Sequence, residues 1–460
     1  MAIRIPRRAL VAAPLAAWRA RAAGSKWELA TFRADVTPPL GSPLFNAVLA
    51  KKIVDPLGAR GLVLRGAGST YVLAVIDWCE IRNNSYDRWR SVLAETAGTS
   101  REKVLVSCVH QHDAPYTDRR AQELLTENHV PEPLCDTAFE DRTIRNVAAA
   151  LGESLRRLRP VSHIGTGMAR VEQVASNRRY VLPDGRVSFE RTSATRDPAV
   201  RAQPEGLIDP WLRTLSFWNG GRPLAALSVY STHPMSYYGK GEVSADFPGM
   251  AREARQQATP DALQIYASGA SGDTMAGKYN DGSPANRPVL AGRMRRAMEE
   301  AWKNTRPFPL EALRFRNAAL RMEPRRTPGF SLQELKDTLA DPRRTRLARF
   351  EAALGLSWRE RLSEGRPIDV PCLELAGGGK LAHVVLVPAE SFVQYQLWAQ
   401  QMRPDSFVVT VGFSECAPGY IPTAESAREG YNDHYSWIAF PECEKQMRGA
   451  IGQALGARSA

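Results

Sequence analysis

Apolar and polar positions along this chain follow two periods. YVLAVID is a continuous, β-branched run, and SYDRWRSVLAETAG after it spaces its apolar residues as a helix does until a glycine ends it. KVLVSCVH is the next strand and DRTIRNVAAALGESLRRLR a further helix. PLAALSVYSTH and LQIYASGA are two more buried strands, separated by a helix that begins near PGMAREARQQA. This alternation of strands and helices predicts an α/β layer.

The second half is more mixed. LRFRNAALRMEPR alternates as a strand, SLQELKD to RERLSEG is helical with two interruptions, and CLELAGGGKLAHVVLV is a glycine-marked hairpin. A helix (ESFVQYQLWAQQM), a strand (SFVVTVGFS), a long polar loop and a helix from PECEKQM to GQALGA follow. There is neither an internal repeat nor a low-complexity linker. The pattern predicts an α/β fold of mixed β-sheets layered with helices: one large domain over 26–460, with a helical insertion around 308–370.

Composition adds exclusions. With 460 residues, 43% hydrophobic and 24% charged, the chain is an ordinary globular protein. Its net charge of +12 comes from 61 basic and 49 acidic residues, and the arginines are spread through helices. No basic stripe interleaves with aromatics, so no nucleic-acid partner is expected, while peripheral contact with anionic lipid head groups stays open. Residues 1–25 carry Arg7 and Arg8, then a short Ala/Leu/Val run interrupted by Pro14, then small residues at Ala20, Ala22 and Ala23, with no acidic side chain. That is the form of a twin-arginine export signal, predicting a periplasmic or secreted protein; without that role the chain is cytoplasmic with a basic start. The six cysteines lack any CxxC spacing, which argues against a thiolate zinc site. Cys79 and Cys108 lie in core-like runs, and export would permit a disulfide such as Cys416–Cys443.

The chemistry concentrates at strand ends. In KVLVSCVHQHDAP, His110 and His112 are one residue apart, and extended backbone puts alternate side chains on one face, for metal binding, proton transfer or one of each. His233 ends a second strand, Glu390 follows a third and Tyr420 a fourth. Two imidazoles, a carboxylate and a phenol suit zinc better than magnesium or calcium. Taken singly, His233 is equally a polar strand end, and Glu390 a carboxylate at a helix start.

Seven segments in order carry a resemblance: RADVTPPLGSPL, LVSCVHQHDAP, SNRR at Ser176–Arg179, YSTHP followed by VSADFPG, ASGASGD, VPAESF and GYIPTAESAREGYN. They resemble the successive signatures of the neutral/alkaline ceramidases, which are zinc-dependent amide hydrolases. The resemblance implies one zinc per chain, held by His110, His233, Glu390 and Tyr420. It implies catalytic roles for His112, Arg178 and Tyr431, with Tyr435 an alternative to Tyr431. The implied reaction is attack of zinc-activated water on the amide carbonyl of an N-acyl substrate, ceramide or a related lipid. His112 then either relays a proton to the leaving amine or joins Arg178 and Tyr431 as a donor to the carbonyl oxygen. Asp246 is expected either to orient a ligand histidine or to cap a helix, and Asp273 to hold the SGASGD turn.

Departures from that pattern concern the substrate. Asp113 and Ala114 stand where the family has serine and glycine, Met275 where it often has serine, and Ala389 where it has glycine before the metal glutamate. Asp113 is expected to place an extra carboxylate beside the pocket, disfavouring anions. The family's C-terminal immunoglobulin-like domain has no counterpart expected in a chain ending at Ala460. An inactive or metal-free relative that binds a ligand or partner in the same pocket is the rival reading. The lack of a G-x-S-x-G elbow argues against a serine hydrolase.

Overall fold

The computed structural model describes residues 26–457, so the export-signal segment lies outside the described residues. Three sheets share one topology. In the first, Trp27–Asp35, Gly58–Gly66 and Ser69–Ile76 run antiparallel in succession, and Val104–Cys108 returns parallel to the last after the helix Asn83–Ala97. In the second, His163–Arg170, Trp211–Asn219 and Arg222–Tyr230 are followed by the helix Asp246–Ala258 and the parallel strand Leu263–Ser268. In the third, Ala312–Leu320, Ile368–Gly377 and Lys380–Leu386 lead through Val393–Met402 to Phe407–Val411.

The correspondence extends to the next helix in each unit. Thr137–Ser154, Asn286–Lys303 and Cys443–Leu455 each pack against the first strand of their own sheet. The sequence shows no repeat because topology depends on which positions are apolar, not on which residues fill them. The helices Leu332–Ala340 and Arg346–Ser363 interrupt the otherwise adjacent strands Ala312–Leu320 and Ile368–Gly377, so the helical part of the stretch 308–370 is flanked by strand on both sides.

Period-two burial explains the layering. Leu62, Leu64, Leu73, Val75 and Leu105 join Leu215, Leu227, Leu373, Leu375, Val384 and Val409 in a core shared by all three sheets. Their neighbours Val63, Val72, Ala74, Val104 and Val106 face outward onto Trp89, Leu93, Val147 and Leu151 of two helices. In the third sheet Val370, Cys372, Val385 and Val408 likewise face Trp358, Met447 and Ile451. All six cysteines are buried free thiols, Cys416 and Cys443 included. Among the described residues no helix is long and apolar enough to cross a membrane.

A buried ion pair ties the first sheet to a helix of the second unit. Arg252 donates from both terminal nitrogens to Asp77, at 2.6 and 2.8 Å, and Asp77 also accepts from the Gly58 amide at 2.8 Å. Asp77→Ala leaves the buried Arg252 guanidinium with only the half-exposed Glu253 carboxylate, 3.2 Å away, and is expected to cost about 2–4 kcal/mol, measured by denaturant unfolding.

Candidate metal centre

The carboxyl ends of the parallel strands converge on one buried point. His110 lies two residues beyond Val104–Cys108, in left-handed backbone (φ 72°), with its ring stacked on Phe413 at 4.1 Å. His233 follows Arg222–Tyr230, and Glu390 follows Lys380–Leu386 after Ala389, itself at φ 53°. Left-handed backbone is uncommon outside glycine, and its occurrence at His110, Ala389 and Phe413 marks a centre whose geometry is imposed by its surroundings. Two-residue ladders fasten the loops. Glu390–Ser391 pairs parallel to Tyr420–Ile421, and Ser176–Asn177 pairs antiparallel to Thr274–Met275.

Three ligand atoms meet there. His110 Nε2 is 3.2 Å from His233 Nε2, His233 Nε2 is 3.0 Å from Glu390 Oε2, and His110 Nε2 is 3.5 Å from the same oxygen. The other ring nitrogens are committed: His110 Nδ1 donates to the Cys79 carbonyl at 2.9 Å and His233 Nδ1 to the Ser271 carbonyl at 2.6 Å. A main-chain carbonyl only accepts, so each neutral ring turns a bare Nε2 lone pair toward the carboxylate. With both rings in these neutral tautomers three acceptors face one another, an arrangement that a cation satisfies. Tetrahedral zinc with bonds of about 2.0–2.1 Å sets neighbouring ligand atoms about 3.3 Å apart, which these spacings fit.

Electrostatics agrees. Burial lowers His110 below the ordinary histidine value. Burial opposes ionisation of Glu390, but positive charge or a hydrogen donated by the adjoining His110 and His233 outweighs it and holds the carboxyl well below its usual range, a stabilisation that a cation would supply where both rings are neutral. Cys79, His110 and His112 form a second cluster of donor atoms. There His110 Nδ1 is already spent on a carbonyl, and burial drives the Cys79 thiol well above its ordinary value, so a thiolate ligand is disfavoured.

Tyr420 is the ladder partner of Glu390, and its phenol is raised by burial and by Glu390 while Arg178 opposes the shift. Arg178 is held by its amide, which donates to the Asp273 carbonyl at 2.7 Å, and its guanidinium lies 5.5 Å from the centre of the Tyr420 ring. Tyr431 packs its ring against Phe392 and lies 6.2 Å from Tyr420, and its buried hydroxyl has no partner, as is also true of Arg178 Nε. The alternative, Tyr435, is engaged elsewhere: its hydroxyl donates to that of Tyr116 at 2.7 Å. His112 stays outside the three acceptors. Its Nδ1 donates to the His110 carbonyl at 3.2 Å, and burial, then His110 and His233, lower its pKa far below the usual value.

Of the supporting residues, Asp246 takes the second of its two expected roles, at a helix start, and Asp113 differs from expectation. Asp246 does not orient a ligand histidine: its carboxylate accepts the amides of Ser236 and Phe247 at the helix start, and main-chain carbonyls hold both imidazoles. Asp113 is turned from the metal centre to the Gly239 amide at 2.9 Å, with Arg287 4.0 Å away. Asp273 does hold its turn, accepting from Asn177 and from the Val393 amide.

The buried pair Glu80–Arg82 escaped the sequence reading. Arg82 Nε donates to Glu80 Oε2 at 2.5 Å, and Glu80 Oε1, without a hydrogen bond, lies 3.8 Å from His110 Nδ1. Two opposite charges inside the apolar run WCEIR were the available signal. A fully apolar setting accepts them only as a pair.

Comparison with solved structures fits this arrangement. Neutral ceramidase from Pseudomonas aeruginosa matches with a TM-score of 0.67 at 18% identity, over 94% of this chain and 75% of that one. The fold is that of neutral ceramidase. A ceramidase complexed with C2 matches with a TM-score of 0.68 at 17% identity, over 95% of this chain and 77% of that one. No protein-family model and no curated protein sequence matches. Within the ceramidase fold, the described residues of this chain form a single domain-sized unit of mixed sheets and helices.

Two measurements test the supports. A Cβ on Gly272 would lie 2.1 Å from the Glu390 carbonyl oxygen, so Gly272→Ala is expected to destabilise by about 1–3 kcal/mol in denaturant unfolding and to weaken metal uptake. Burial raises the Asp113 carboxyl to about 6, with Gly239 and Arg287 opposing. Its folded-state pKa exceeds the unfolded one, so the stability it contributes is full below about pH 4 and is lost as pH rises through 6. Asp113→Asn is expected to remove that loss, roughly 2 kcal/mol, when unfolding at pH 4 and pH 7 is compared.

Proposed function

We propose that this chain is a zinc-dependent hydrolase that cleaves the amide bond of an N-acyl substrate of the ceramide type. The observation that carries the reading is the convergence of His110 Nε2, His233 Nε2 and Glu390 Oε2 within 3.5 Å of one another. Tyr420, laddered to Glu390, is the fourth candidate ligand. Bound there, zinc would supply Lewis-acid polarisation of the carbonyl and a lowered pKa for a water molecule.

The chain's own residues divide the remaining work. His112 has its Nδ1 hydrogen committed to the His110 carbonyl and is neutral at pH 7, so its Nε2 is a proton acceptor. This favours His112 as the base that takes the proton from the attacking water and passes it to the leaving amine, over a role as donor to the carbonyl oxygen. Arg178 Nε and the Tyr431 hydroxyl are buried donors without partners, suited to the charge that develops on that oxygen. The twin-arginine-like start supports export, and the site is proposed to act on substrate met outside the cytoplasm.

Metal analysis with activity on N-acyl test amides decides the matter. The purified chain is expected to hold one zinc, His110→Ala and Glu390→Gln to lose it, and His112→Ala to keep it while turnover falls about 10²–10⁴-fold. A chain without stoichiometric zinc returns the rival reading of a metal-free binding protein, whereas a His112→Ala variant that loses the metal as well makes His112 a ligand and overturns its role as the base.

A further inference from the structure

The helical insertion encloses a cavity of its own. It has a volume of about 870 Å³ and is walled by the helices Leu332–Ala340 and Arg346–Ser363, by the chain leaving the strand Ala312–Leu320, and by Leu124 and Asn128 at the end of the helix Arg119–Glu127. That volume lies within the ~300–1,000 Å³ typical of small-molecule sites. No residue of the metal centre, nor any of the candidate catalytic residues, lines it.

Much of the wall is hydrocarbon. Leu320, Met322, Leu332, Leu339, Leu356 and Trp358 contribute to it. Leu332, Leu335 and Leu339 form one face of their helix, at spacings of three and four, yet only the last two are buried and Leu332 is 47% exposed. The apolar face therefore runs on past the part that the second helix covers. Trp358 is buried, and its indole N–H has no hydrogen-bond partner among the described residues.

The charged part of the wall is out of balance. Its two acids near the apolar residues are engaged by cations from outside the cavity: Glu323 by Arg326 at 3.1 Å and Glu360 by Arg120 at 2.7 Å. Arg366 is spent on Asp87 and Glu364. Arg321, Lys336 and Arg359 remain, with no ion-pair partner among the described residues. Arg321 donates to the Gly365 carbonyl at 2.9 Å and Arg359 to the Arg325 carbonyl at 2.6 Å. Carbonyls hold a guanidinium in place without cancelling its charge.

We propose that this cavity binds a long-chain carboxylate, its hydrocarbon on the leucine wall and its headgroup at Arg321, Lys336 and Arg359. An apolar wall alone would accept any hydrocarbon and free cations any anion, whereas their combination selects an amphiphile that is both. A planar carboxylate also matches the parallel N–H groups of a guanidinium. The inference does not depend on the amide-hydrolase reading, although the acid released by such a reaction belongs to the same chemical class.

Calorimetric titration of the full chain with sodium dodecanoate, sodium octanoate and dodecanol tests it. Dodecanoate is expected to bind, and octanoate to bind at least about ten-fold more weakly for want of four buried methylenes. Arg321→Glu combined with Lys336→Glu, both at exposed positions, is expected to weaken dodecanoate at least about ten-fold and to leave dodecanol unchanged. Equal affinity for the two acids, or a charge-reversed chain that binds dodecanoate as the parent does, overturns the inference. So does binding to phosphatidylglycerol vesicles with none to the free acid, which makes this face a membrane contact. Charge-sensitive dodecanoate binding by a chain that holds no zinc and cleaves no amide leaves this inference standing while the hydrolase reading falls.

Discussion

Two imidazole nitrogens and a carboxylate oxygen, buried and packed 3.0–3.5 Å apart, need a positive charge among them, and the rest of the structure is built around that constraint. Nothing local holds them: His110, His233 and Glu390 come from different sheets, and each is fixed by main-chain contacts behind it. The left-handed backbone at His110 and Ala389, and the contact of Gly272 with the Glu390 carbonyl, are the local costs of bringing them together.

The charges around the centre are kept in fixed pairs, each joining elements that would otherwise only touch. Arg252 and Asp77 link the second unit to the first, and Arg287 and Asp113 flank the turn before the second helix. Glu80 shows how the threefold plan was adapted. It pairs with Tyr116 in a parallel two-residue ladder, as Glu390 pairs with Tyr420, so the first and third units present the same carboxylate–phenol couple. In the first unit the couple is answered by Arg82, enclosed by Tyr116, Tyr435 and Trp437, and the tethered guanidinium supplies the positive charge there. Phe413 stands in the third unit where His110 stands in the first, two residues past the last strand, and the two rings stack.

Much of this could be read from the chain because strands that end in the site are continuous apolar runs closed by a polar residue, as in VSCVHQH and SVYSTHP. The different roles expected of His110 and His112 came from the family resemblance, because their spacing alone left both roles open to either ring. The threefold topology was not, because the units share only positions of burial. Nor were the two-residue ladders, which are too short to have a period and lie in segments that look like polar loop. Asp113 misled for a related reason: a carboxylate near a site in sequence is captured by whichever amide the turn presents, and here that was Gly239.

The distribution of the donor atoms over the three units has a consequence for the chain as a polymer. His110 and His233 are 123 residues apart, and His233 and Glu390 are 157 apart. An ion bonded to all three is a cross-link closing two long loops, and in the chain-entropy picture each closure of that length is worth about 5 kcal/mol. His110, His233 and Glu390 come one from each unit, so an ion bonded to all three requires all three units to have docked. The centre thereby reports on assembly of the whole domain, and loss of the ion would loosen the joints between units before it unravelled any one of them.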